Sequence, residues 1–222
     1  MITVHPEPHG GGGIPAVHPE PPGDLHDRVL PLIPASGPWA RAFRLDRDPL
    51  YFGRGGDQRF DDPAREFGVC YCGADEACAF IETLPAQVTV GATSILGVRE
   101  AALQARGWAT VELLPQTEPL WLVDMTGPGL AHLGANADLS SCPDYAVPQR
   151  WSRALWSHPQ GPSGLLYRAR HDPSLLSIAL FDRADGRVAM TSRGAWSASA
   201  NATLLRRMLA RYRVQIIPDA RS

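Results

Sequence analysis

From Trp39 onward, short apolar runs with strand-like alternation are interleaved with segments whose apolar residues recur every three or four positions. The strand-like runs cover residues 42–45, 68–72, 110–114, 120–124, 165–170, 177–182 and 213–217. Helical spacing predicts a helix over 75–84, where Ala77, Phe80, Ile81 and Leu84 share one face and Pro85 stops the run. Further helices are predicted over 98–106, closed by Gly107, and over 148–157, with Trp151, Ala154 and Leu155 inward. A last one covers 201–212, with Leu204, Leu205, Met208 and Leu209 inward. The Asp185-Gly186 pair predicts a tight reversal between the strand ending near Asp182 and the segment from Val188. This order of elements predicts a single α+β domain of mixed, twisted sheets with flanking helices.

The stretch before Trp39 reads differently. Residues 1–38 hold nine of the 21 prolines and the run Gly10 to Gly13, a composition that closes no core, so they are expected to form an extended arm ahead of a folded domain over 39–222. Within the arm, Val4-His5-Pro6-Glu7-Pro8 recurs as Val17-His18-Pro19-Glu20-Pro21, a low-complexity repeat with no assigned chemistry.

Charge and composition narrow the function classes. The 222 residues carry 21 Lys+Arg against 23 Asp+Glu, a formal net charge of -2, so no global positive field draws the chain to nucleic acid or to an anionic membrane. Every one of the 21 cationic residues is arginine, which excludes a lysine Schiff base and a phosphate loop of the Gly-Lys-Ser/Thr kind. A Gly-x-Gly-x-x-Gly turn between strand and helix is absent, which argues against a dinucleotide-binding fold of that type. Four cysteines, at 70, 72, 78 and 142, are too few and too clustered for a disulfide framework and suit a reducing cytoplasm. No run approaches the about 18 apolar residues of a membrane span, and the chain is expected to be soluble and unexported.

Three stretches could carry chemistry. Phe43-Arg44-Leu45 places a guanidinium in a short apolar strand, where it needs an anion or a carboxylate opposite. The loop from Tyr51 to Pro63 combines Gly53, Gly55 and Gly56 with Arg54 and Arg59, glycines for close backbone approach and forked donors for phosphate oxygens. The strand Gly68-Val69-Cys70-Tyr71-Cys72 runs into the helix carrying Glu82, which points away from the apolar stripe of that helix. In order, Phe43-Arg44-Leu45, Arg59-Phe60-Asp61, Gly68-Val69-Cys70-Tyr71 and Ala79-Phe80-Ile81-Glu82 resemble the RES-domain family. So do Gln149-Arg150-Trp151-Ser152 and the run from Tyr167 to Pro173, and the resemblance covers residues 39–183 approximately.

The resemblance implies a fold related to ADP-ribosyltransferases, NAD as a substrate rather than a cofactor, and a role as the toxin of a bacterial toxin-antitoxin pair. It also implies a small helical DNA-binding antitoxin as partner and a toxin-antitoxin hetero-oligomer, or a homo-oligomer. Arg44 matches the first arginine of the family, Arg59 the second cationic position, Tyr71 the strand aromatic and Glu82 the glutamate. Glu82 and Arg44 are thus the expected catalytic residues, with Arg44, Arg59, Tyr71, Arg54 and Arg168 contacting NAD. In this scheme Arg44 and Arg59 grip the diphosphate, Tyr71 packs on the nicotinamide, and Glu82 stabilises the positive charge that builds on the ribose as nicotinamide leaves. Inorganic phosphate or water is the implied acceptor, or in some relatives a protein side chain. Ala169 stands where the family has its serine, and loss of that hydroxyl is expected to reduce activity. Ser174 and Ser177, beyond Pro173, are not expected to replace it without a change of register.

Other readings compete. Cys70-x-Cys72 with Cys78 offers soft metal ligands, but no second Cys or His pair completes a tetrahedron and no metal is expected. A hydrolase with Cys142, Ser140 or Ser141 as nucleophile and His132, His158 or His171 as base lacks any Gly-x-Ser-x-Gly elbow. A binding module that holds NAD without turnover is a third reading, favoured by Ala169. Trp151 and Trp156 are read as core, Gln149 and Arg150 as possible supports for a phosphate, and the arginines at 206, 207, 211 and 213 as a solvated helix face or an antitoxin contact.

Overall fold

The structure, a computed structural model, describes residues 19–90, 93–115 and 118–219. In chain order the elements are β1 (Leu32–Pro34), β2 (Trp39–Arg44), β3 (Val69–Gly73), α1 (Glu76–Thr83), β4 (Ala86–Val90), β5 (Thr93–Arg99), α2 (Glu100–Ala105) and β6 (Arg106–Leu113). They continue as β7 (Trp121–Asp124), α3 (Gly127–Leu133), α4 (Asp138–Ser141), α5 (Ala146–Trp156), β8 (Gly164–Arg168), β9 (Leu176–Phe181), β10 (Val188–Ala195), α6 (Ala202–Tyr212) and β11 (Gln215–Ile217). Eight strands form one sheet in the order β1-β7-β8-β9-β3-β2-β6-β10, and β11-β5-β4 form a second. Among the described strands only β7 with β8 and β11 with β5 run parallel. The expected α+β class with mixed sheets and flanking helices holds.

The large sheet changes character at its middle. β3 pairs with β9 along five residues and β2 with β6 along six, yet β2 and β3 share the single pair Ala40↔Gly73. Beyond that pair the two strands separate, and α1 packs against both. Asp75 caps α1 by accepting from the Cys78 N–H at 2.8 Å, while Ala77, Phe80 and Ile81 bury the inner face. Gly73 lets strand and helix approach this closely: a Cβ there would lie 2.6 Å from the Cys78 Cβ and 2.7 Å from the Ala79 nitrogen. Buried aromatic groups fill both sides, Trp151, Phe67 and Phe181 beneath α5 and Phe80, Trp108 and Trp196 between α1 and α6. Trp156 stacks on Phe67 at 4.7 Å between ring centroids, a core role as expected.

Four expectations change. Residues 19–38 are not an extended arm: Leu25 and Leu30 are 2% and 4% exposed, and β1 adds to the sheet edge beside β7. Enough apolar residues fall between the prolines to be buried by the domain, so the folded part begins by Pro19. The first copy of the repeat lies outside the described residues, whereas Glu20 of the second pairs with Arg150. The predicted reversal at Asp185-Gly186 does turn, with Gly186 at φ +73°, but β10 pairs with β6 at the far edge and makes no hairpin with β9. The helix predicted over 98–106 is shorter, because Val98 and Arg99 belong to β5 and pair with β11. The antiparallel pair β4 and β5, β10, α3 and α4 are additions, α3 being hidden in the sequence by Gly127-Pro128-Gly129 at its start.

Candidate functional site

Where β2 and β3 part, they leave a cavity of about 400 Å³, within the size range of small-molecule sites. Its walls come from β2, β3, α1, the Gln58-Arg59 stretch, Tyr145, and the β8–β9 region with Tyr167, Arg170, His171 and Ser177. Among the described residues four arginines line it, Arg41, Arg59, Arg106 and Arg170, against one carboxylate, Glu82.

Arg59 is 8% exposed. Its Nη1 donates to the carbonyls of Cys142 at 2.8 Å and Leu139 at 3.4 Å, and its guanidinium lies 4.7 Å from the Tyr145 ring centroid. No carboxylate forms an ion pair with it among the described residues. A cation removed from water and left without a counter-charge is costly, so an anion entering this cavity gains a partner whose desolvation is already complete. Arg41 is similar. Its Nη2 donates to the Tyr51 carbonyl at 3.0 Å and its Nη1 to the Tyr71 carbonyl at 3.2 Å and Cys70 Sγ at 2.7 Å, while its buried Nε has no partner.

Glu82 stands on the cavity wall formed by α1, half-buried, and its Oε1 accepts from the His171 backbone N–H at 2.7 Å. Its charge is felt by its neighbours. Burial, with Glu82 adding to it, pushes the Cys78 thiol up to about 11 and the Tyr167 phenol higher still, so both are neutral at pH 7. Cys78 is therefore a poor nucleophile, with its Sγ 3.1 Å from the Leu176 carbonyl and 3.3 Å from Ser177 Oγ. Tyr71 presents its ring to the cavity but spends its hydroxyl elsewhere, donating to Asp61 Oδ1 and accepting from the Phe60 N–H, both at 2.9 Å. Burial and the nearby Asp61 raise the phenol well above its ordinary pKa.

Of the residues expected to act together, the fold joins Arg59, Tyr71 and Glu82 and leaves out three. Arg44 is exposed and held by Asp46 through Nε at 2.9 Å and Nη2 at 2.5 Å, outside this cavity. Three positions apart on one strand, Arg41 and Arg44 face opposite ways, and it is Arg41 that meets the cavity. Arg54 pairs with Asp182 at 2.7 Å. Arg168 is exposed against the Pro173 carbonyl, since strand alternation turns Tyr167 inward and its neighbour outward; Arg170 takes the lining position instead. No local signal in the sequence separates Arg41 from Arg44, since both sit on one short strand. Ala169 is 1% exposed and outside the lining, whereas Ser177 lines the cavity, brought in by the pairing Tyr167↔Ser177. Contrary to expectation, Pro173 does not keep it away, because the chain reverses there and β9 returns beside β8.

The remaining candidates are used structurally. Gln149 Nε2 donates to the carbonyls of Gly56 and Gln58, and Arg150 is occupied by Glu20, so neither faces the cavity. Cys142 Sγ donates to the Asp144 carbonyl, and Ser140 and Ser141 donate to Ala137; none is bonded to a histidine. Among the described residues no group of three or more His, Cys, Asp or Glu is gathered to hold a metal ion, and no helix is long and apolar enough to cross a membrane.

Three comparisons bear on this cavity. A family model described as RES domain matches residues 38–201. The "Probable toxin y4kH" of Sinorhizobium fredii (strain NBRC 101917 / NGR234) is 31% identical over 105 residues, 47% of this chain and 80% of that protein. A chain in the crystal structure of the M. tuberculosis MbcT-MbcA toxin-antitoxin complex superposes with a TM-score of 0.57 at 18% identity, over 81% of this chain and 92% of that one. At that identity the likeness is one of fold.

Proposed function

The chain belongs to the RES domain family, and from that premise we propose that it is the toxin of a toxin-antitoxin pair and breaks the bond between nicotinamide and ribose in NAD. The observation that carries the reading is the nearly buried, carboxylate-free Arg59 in the same cavity as Glu82. Arg59 and Arg41 suit the two phosphates of the dinucleotide, each charge-assisted bond contributing about 1.5–3 kcal/mol. Tyr71, Tyr145 and Tyr167 offer ring faces for the flat ends of the substrate.

When the glycosidic bond breaks, its electron pair leaves with nicotinamide, which departs neutral, and positive charge remains on the ribose. Among the described residues, Glu82 is the one carboxylate on the cavity wall, placed to stabilise that charge. The His171 N–H fixes one of its oxygens, leaving the other for a ribose hydroxyl or an incoming nucleophile. An oxygen of water, which gives up a proton to solvent, or of the inorganic phosphate dianion then bonds to the anomeric carbon, giving ADP-ribose or its phosphorylated form. A toxin that consumes NAD acts where NAD is made, in the cytoplasm, and needs an antitoxin to hold it inactive.

Separation of the products formed from NAD, with and without phosphate, tests the reading. Wild-type protein is expected to release nicotinamide and Glu82→Ala to lose that release by at least about 100-fold, a typical contribution from a group that stabilises transition-state charge. Equal turnover by the variant removes Glu82 from the chemistry. NAD bound but intact identifies a binding module, and ADP-ribose found on added protein identifies a transferase.

A further inference from the structure

Asp61 is 2% exposed and absent from the cavity wall, yet it gathers the loop that carries Arg59. Its Oδ2 accepts from the N–H groups of Gly56 and Gln58, each at 3.1 Å, and its Oδ1 from the Tyr71 hydroxyl at 2.9 Å. That hydroxyl accepts from the Phe60 N–H. The amides on either side of Arg59, those of Gln58 and Phe60, therefore end on one carboxylate, directly or through one phenol. The carbonyls of the same stretch are held from the other side by α5: Gln149 Nε2 donates to Gly56 and Gln58 at 2.9 and 3.0 Å, and Ser152 Oγ to Phe60 at 2.6 Å.

We infer that Asp61 is a positioning residue: through Tyr71 and the loop amides it sets the backbone from which Arg59 reaches the diphosphate site. The inference rests on the reading of that site given above. A buried carboxylate is an expensive way to fasten a loop unless every lone pair is used and the loop must be rigid. Here three donors converge on it, and the guanidinium it serves is itself buried, so a small backbone shift moves a charge that cannot be resolvated. An arginine free to wander would pay the ordering entropy at binding; one held in advance does not.

The experiment uses the full chain and two readouts, the dissociation constant for inorganic pyrophosphate by calorimetry and the steady-state constants for NAD. Asp61→Asn keeps the shape but sets an N–H₂ group or a weaker neutral acceptor against the loop amides. It is expected to weaken pyrophosphate binding and raise the KM for NAD by about tenfold, the worth of one charge-assisted bond, with a much smaller change in kcat. In an Arg59→Ala background the same change is expected to add little, because the residue being aimed is gone. Wild-type constants in Asp61→Asn, or a full tenfold loss still present without Arg59, overturn the inference. Should Asp61→Asn fail to fold, Tyr71→Phe, which deletes one hydroxyl, is expected to weaken pyrophosphate binding by a smaller factor, and wild-type affinity in that variant overturns the inference equally. Pyrophosphate binding without NAD turnover in the wild type removes the enzymatic reading and leaves Asp61 to be judged on affinity; no binding of either overturns both.

Discussion

At the scale of single residues, the site turns on which arginines are already satisfied. Arg44 has a carboxylate at 2.5 Å and Arg54 one at 2.7 Å, whereas Arg41 and Arg59 rest on carbonyls, a thiol and a ring. An arginine paired to a carboxylate offers a phosphate little; one paired to carbonyls still carries its whole charge. Arg41→Ala is therefore expected to raise the KM for NAD about 10- to 100-fold, matching a lost bond of about 1.5–3 kcal/mol, while Arg44→Ala stays within about twofold. Steady-state kinetics on the pair of variants checks this, and the reverse ranking returns Arg44 to the site. The contrast also marks the limit of reading residues from sequence. Arg59, Tyr71 and Glu82 were legible because each sits in its own recognisable stretch. Arg41 and Arg44 share a six-residue strand, and only the register against β6 decides which one turns toward the opening.

At the scale of elements, seven strand segments and four helices were legible because each is an apolar run of adequate length with a turn, cap or proline at its end. What escaped were β10 and elements whose local pattern is weak: the three-residue β1, the antiparallel pair β4 and β5, the four-residue α4, and α3 with its glycine-rich start. Strand partners were not legible at all, and they make the cavity, since it exists only because β2 and β3 are neighbours that part after one pair. The junction of β3 with α1 depends on Gly73. Gly73→Ala, with a Cβ 2.6 Å from that of Cys78, is expected to cost about 1–3 kcal/mol of stability through overpacking. Urea unfolding measures it, and an unchanged midpoint would mean that α1 can move away from the sheet.

At the scale of the molecule, the segment from Pro19 onward is a clasp over α5. The Trp151 indole N–H donates to the Pro19 carbonyl at 2.7 Å, Arg150 pairs with Glu20, His158 Nε2 lies 3.1 Å from the Leu25 carbonyl, and Leu25 is buried in the core beneath. Prolines run through all 38 residues and hide this, although Leu25, Leu30, Leu32 and Ile33 fall in the second half. Leu25→Ala is expected to destabilise the fold by about 2–5 kcal/mol, visible as a fall in the thermal midpoint. A midpoint equal to wild type would show that the clasp is dispensable.

The clasp and the α5 residues that hold the Arg59 loop share one helix, with Arg150 and Trp151 serving the clasp and Gln149 and Ser152 the loop. Loosening the clasp is therefore expected to loosen the α5 side chains that hold the Arg59 loop. A cut in the polypeptide between Pro22 and Leu25 would separate Pro19 and Glu20 from the anchor at Leu25 and is expected to loosen α5 although no residue lining the cavity is cut.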